Sequence, residues 1–205
     1  MRHISRYLSN KIQSFSIKAT DDNIKQIVKD ELDRLGHNAD LNHIDVSEVT
    51  DMNHLFCCGS FGILNSTYKD LNPDISKWDV SNVINMDCMF YECNKFNCCI
   101  SQWDVSKVKD MSGMFKECKK FNQDLSQWDV SNVKDMQAMF SGCKNFNQDL
   151  SWWDVSNVIN MDGMFNRCKT FNQDLSGWDV RKVINIDSIF IDCPIKEEFK
   201  PKFNI

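Results

Sequence analysis

The chain contains no Cys-x-x-Cys, and its four histidines, His3, His37, His43 and His54, all precede the regular part of the sequence. A structural zinc centre draws on clustered thiolates and imidazoles, so none is expected and no metal residue is assigned. No stretch approaches the roughly 18 consecutive apolar residues of a membrane span. The opening MRHISRYLSNKIQSFSIKAT lacks the apolar core of a secretory signal, and no lipid-anchor cysteine stands near it. A basic stripe is missing too: the formal charge is -5, with lysines scattered among acids, which argues against a nucleic-acid binder.

What is present is repetition. FNQDLSQWDVSNVKDMQAMFSGCKN begins at Phe121, and FNQDLSWWDVSNVINMDGMFNRCKT begins at Phe146. Trp78, Trp103, Trp128, Trp153 and Trp178 recur every 25 residues, each followed by Asp-Val. Cys93, Cys118, Cys143, Cys168 and Cys193 keep the same register, as do Phe90, Phe115, Phe140, Phe165 and Phe190. Upstream, Asp45-Val46-Ser47 and Leu55-Phe56 fit the template, but Asp45 lies 34 residues before Asp79, so the first unit is longer and degenerate. A fixed period of this length marks supersecondary units that bury their apolar faces only against neighbours. With 42% hydrophobic and 26% charged residues, the chain reads as one ordered domain.

Within a unit, Val133, Met136, Met139, Phe140 and Cys143 gather on one helical face, with Ser131 at the N-cap position and Gly142 or Lys144 at the end. The segment from Asp124 ends in alternation, Trp128 and Val130 on one side and Gln127 and Asp129 on the other, as a short strand requires. The expected fold is therefore an α/β solenoid, a leucine-rich-repeat-like stack of 25-residue coils, each a short strand plus a short helix. Residues 1–43 are expected to form an N-terminal cap, residues 44–193 one degenerate and five regular coils, and residues 194–205 a C-terminal cap. In the first of these, Ile24, Ile27, Val28, Leu32 and Leu35 predict an amphipathic helix over Asp21 to Leu35, capped by Thr20 and Gly36.

The unit F-N-Q-D-L-S-x-W-D-V-S-N-V-x-x-M-x-x-M-F resembles the repeat of BspA-like leucine-rich-repeat bacterial surface proteins, also met as a domain of unknown function in mycoplasma lipoproteins. The resemblance runs from about Asp45 to Cys193 and implies surface display and binding to host or partner proteins. It implies no catalysis and no cofactor. A cytoplasmic location stays open beside the surface, because the opening residues carry no export signal.

The cysteine column reads as buried thiols, with disulfides as the alternative, and the remaining cysteines as a local pair or as thiols in a reducing compartment. The aspartate column, Asp79, Asp104, Asp129, Asp154 and Asp179, supplies one kind of group, whereas an active site needs unlike groups converging. It reads either as capping residues or as a calcium ladder. No enzyme is expected. The function expected is a monomeric protein-protein interaction module, with a structural spacer as the alternative. The position before each tryptophan varies most: Lys77, Gln102, Gln127, Trp152 and Gly177. Alternation turns that column outward beside the aspartates, and Lys77, Gln102, Gln127, Trp152, Asp104, Asp129 and Asp154 are the candidate binding residues. Cover over a neighbouring strand, or a neutral drift of one repeat, would leave Trp152 without that role.

Overall fold

The computed structural model describes residues 16–60 and 62–203. Strand β1 (Ile17–Lys18) precedes helix α1 (Ile24–Leu35) and pairs in parallel with β2 (Ile44–Asp45), Ile17 opposite Ile44. Short 3-10 turns follow at Ser66–Tyr68 and Glu197–Phe199. Among the described residues no helix is long and apolar enough to cross a membrane.

The expected α/β solenoid of strand-plus-helix coils is overturned. The 25-residue units contain neither a helix nor a strand; they are built of turns, and α1 and the two-residue pair β1–β2 are the α and β elements described. The backbone bonding explains the error. In one unit, N–H donors reach carbonyls three residues back: Trp128 to Leu125 at 3.1 Å, Val133 to Val130 at 2.9 Å, Met139 to Met136 at 3.2 Å, Cys143 to Phe140 at 2.9 Å and Phe146 to Cys143 at 3.2 Å. Each of these turns opens and closes on a buried residue. The apolar spacing of three thus comes from consecutive turns, which imitate a helical face. Left-handed residues, Ala138 at φ 52 and Gly142 at φ 76, interrupt any right-handed run between them.

The expected strand fails for a related reason. Adjacent units share single parallel bridges, Asp51 to Asn85, Asn85 to Asp110, Asp110 to Asp135, Asp135 to Asn160 and Asn160 to Asn185, and no ladder extends from them around the tryptophans. Instead, alternate N–H groups on the other side of each unit cross to the next. Met136 donates to Asn160 at 2.9 Å, Ala138 to Asp162 at 2.8 Å, Phe140 to Met164 at 3.0 Å and Gly142 to Asn166 at 2.8 Å. Turn bonds and crossing bonds together satisfy the backbone that a helix would have satisfied internally.

Between units the side chains fall into register. The rings of Phe90 and Phe115 lie 5.6 Å apart at 4°, and those of Phe121 and Phe146 lie 5.9 Å apart at 13°. Each buried tryptophan indole donates to a carbonyl of the preceding unit, Trp128 to Ile100 at 3.1 Å and Trp153 to Leu125 at 3.0 Å. The thiols do the same: Cys118, Cys143 and Cys168 point their sulfurs at the carbonyls of Phe90, Phe115 and Phe140 at 2.9, 2.9 and 3.0 Å. None of the ten cysteines is in a disulfide.

Helix α1 is shorter than expected at its start. Asn23 holds the N-cap position and Thr20 lies outside the helix, with the Thr20 N–H donating to Asn23 Oδ1 at 2.8 Å. Ile24, Val28 and Leu32 are buried at helical spacing, whereas Leu35 is exposed, so the apolar face is narrower than its sequence suggested. Gly36, at φ 91, ends the helix with its N–H on Leu32 O at 2.8 Å. Asp21 ties the helix entrance to the first unit, accepting from the N–H groups of Thr50 and Asp51 at 2.7 and 3.0 Å. At the other end, Lys196 N–H reaches Asn172 Oδ1 at 3.0 Å, and the Leu175 N–H reaches Phe199 O at 2.8 Å. Parts of both expected caps, residues 1–15 and 204–205, lie outside the described residues.

Candidate interaction surface

The variable column sits on a tight turn that precedes each buried tryptophan. Leu125 O accepts from Trp128 N at 3.1 Å and Leu150 O from Trp153 N at 3.1 Å, which leaves Gln127 and Trp152 at the turn tips. Asparagine-type turns fix these tips: the Ser126 and Ser151 N–H groups donate to the carboxylates of Asp124 and Asp149, both at 2.9 Å. Asp124 is thereby held below the usual carboxylate range, first by the Ser126 backbone N–H and then by its hydroxyl. In one unit Cys99 takes the aspartate's place, with its sulfur 3.4 Å from Ser101 Oγ.

Lys77, Gln102, Gln127 and Trp152 are all exposed, and so is Gly177. The column is outward-facing on turns, not on a sheet face. Trp152 and Trp153 make the contrast plain. Trp153 is 3% exposed and hydrogen-bonded through its indole, whereas the adjacent Trp152 is 84% exposed. Gln102 and Gln127 direct their amides at Ser101 and Ser126 of their own turns, at 3.5 and 3.3 Å.

Asp104, Asp129 and Asp154 lie on the other flank of each buried tryptophan and are exposed. Each accepts the N–H of the residue two positions on, Ser106, Ser131 and Ser156, at 3.0 Å. The serines therefore do not cap helices, as their positions suggested; the aspartates close turns and the serines supply the N–H. Hydrogen bonds from Ser106 and Ser156 hold Asp104 and Asp154 below their ordinary range. In the last unit Arg181 replaces the serine and forks onto Asp179 through Nε at 2.8 Å and Nη2 at 2.6 Å, which brings that carboxyl down to about 2.

Two features were not anticipated. One is an asparagine ladder: Asn97, Asn122, Asn147 and Asn172 each donate a backbone N–H to the side-chain oxygen of the asparagine one unit earlier, Asn72, Asn97, Asn122 and Asn147, at 2.7, 2.9, 2.9 and 2.9 Å. Its signal was the asparagine that recurs every 25 residues from Asn72 to Asn172. The other is a group formed by His54, Asp87 and Cys88, whose ligand atoms lie within 4.8 Å of one another. Burial, followed by the Asp87 carboxylate, pushes the Cys88 thiol up.

The family model described as Mycoplasma protein of unknown function, DUF285, matches residues 22–136 and 125–201. No curated protein and no solved structure matches the chain.

Proposed function

This chain belongs to the Mycoplasma family of unknown function, DUF285, and we propose that its repeats form a non-catalytic module that presents Lys77, Gln102, Gln127 and Trp152 to a protein partner. The observation that carries this reading is Trp152, an 84% exposed indole at a turn tip where two preceding units place glutamine. A water-exposed tryptophan among polar neighbours suits an interface anchor, because covering it removes a large apolar area at small rotamer cost. Asp104, Asp129 and Asp154 border the column and supply charge at its rim. The repeat motif further supports kinship with BspA-like surface proteins, which would direct the module at host or neighbouring-cell proteins.

The non-catalytic part of the proposal is supported by how the repeated polar groups are used. The aspartates close turns, the asparagines bind backbone N–H groups and the thiols face carbonyls, each inside or between units. In the regular units no column pairs a nucleophile with an imidazole, because all four histidines precede them. Trp152→Gln copies the residue of the units at Gln102 and Gln127 and tests the proposal directly. Capture from host and native lysates with both proteins in parallel should give partners retained by the wild type and lost from the variant, with equal melting temperatures. Equal retention places the contact elsewhere, and no partner with either protein favours a spacer.

A further inference from the structure

In the last four regular units the first left-handed position holds a small residue: Gly113 at φ 58, Ala138 at φ 52, Gly163 at φ 62 and Ser188 at φ 58. The degenerate unit and the first regular unit place His54 at φ 55 and Cys88 at φ 52 there, residues that have metal-binding atoms. Left-handed backbone favours glycine, as Gly113 and Gly163 show, and does not itself select an imidazole or a thiol. His54 and Cys88 are register mates in adjacent units. The His54 N–H donates to Asp87 O and the Cys88 N–H to Ser112 O, both at 2.8 Å, which fixes their backbones on neighbouring rungs.

Asp87 stands between them. Its Oδ2 is 3.7 Å from His54 Nδ1. Its other oxygen lies 3.0 Å from the Ser112 hydroxyl, which is also 2.6 Å from Asp110 Oδ1. Beside Cys88 the next unit has Gly113, and a Cβ added there would meet the Cys88 sulfur at 2.7 Å. The sulfur thus occupies space that a side chain at 113 would fill. All three residues are half-buried, partly shielded from water but open to an ion.

We propose that His54 Nδ1, Asp87 Oδ2 and Cys88 Sγ form a zinc site that joins the long first unit to the second. One imidazole, one thiolate and one carboxylate make a donor set that suits zinc and excludes calcium or magnesium, which prefer all-oxygen shells. With metal–ligand bonds of roughly 2.0–2.3 Å, tetrahedral ligands stand about 3.5 Å apart, so the present spread closes by about an ångström. The fourth position is taken by water. Ser112 orients the carboxylate from the outer shell. Binding releases the thiol proton, and the ion bridges the units at the point where their register changes.

The test is titration of the reduced, metal-free full chain with cobalt(II), followed by displacement with zinc. The site predicts a thiolate-to-cobalt charge-transfer band that saturates at about one ion per chain, and a zinc-dependent rise in melting temperature. Cys88→Gly installs the residue that Gly113 and Gly163 provide at this position. It should keep the metal-free melting temperature while losing both responses. His54→Asn and Asp87→Asn should each weaken binding at least tenfold, and Asp87→Asn, being isosteric, serves if Cys88→Gly does not fold. Absence of the band in the wild type overturns the proposal. So does a band that survives Cys88→Gly but disappears in Cys98→Ser or Cys99→Ser, since the ion would then sit on the other thiols.

Discussion

Asn122 is exposed, yet it does more for the fold than most exposed residues. Its side-chain oxygen accepts the Asn147 N–H at 2.9 Å and the Gln148 amide at 3.0 Å, while its own N–H is bound by Asn97. Asn122→Ala removes the acceptor and leaves the Asn147 N–H without its partner, at an expected cost of about 1 kcal/mol in a denaturant melt. Asn122→Asp keeps an oxygen in place and should lose less. Equal losses in the two variants would show that the amide's shape, and not its acceptor, is what matters. Tryptophan, cysteine and asparagine repeat together because each donates to, or accepts from, a neighbouring unit. Trp152 does none of this, which is why it is free to differ.

At the scale of the element, the units show why a helix was expected and a chain of turns was found. Sequence periodicity reports which residues are buried, and burial recurs every three residues in both cases. What separates them is backbone conformation at Ala138 and Gly142, and alanine at a left-handed position has no signature of its own. Gly113 and Gly163, in the same register one unit to either side of Ala138, were the available hint. Outward exposure of the column at 77, 102, 127 and 152 was legible, because the alternation about a buried tryptophan holds on turns as it does on strands. The grouping of His54, Asp87 and Cys88 was hidden by the irregular spacing of the first unit. The roles of aspartate and serine in the turns lead to a contrast. Asp129→Ala should cost about 0.5–2 kcal/mol, as the loss of a capping acceptor does, whereas Ser131→Ala should fall within error because its backbone N–H is retained. A larger loss for Ser131→Ala would return the capping role to its hydroxyl.

At the scale of the whole molecule, consecutive units are bound by backbone bonds, indoles and thiols that cross from one to the next, so stability is shared along the chain. Cys118, Cys143 and Cys168 are fully buried in this arrangement, and burial raises each thiol well above its ordinary range. They should resist alkylation in the native protein and react on unfolding, whereas exposed Cys99 reacts at once. Rapid native labelling of the three would mean that the units open separately from global unfolding.

The proposed division, in which what repeats holds the units together and what varies meets a partner, is tested most directly by photocrosslinking from single positions. A photoreactive side chain is placed in turn at 102, 127 and 152, and, as a comparison, at exposed Lys134, which lies outside the column. The account predicts partner adducts from 102, 127 and 152, competed away by untagged wild type but not by Trp152→Gln, and none from 134. Adducts from 134 with silence at the three column positions would contradict it.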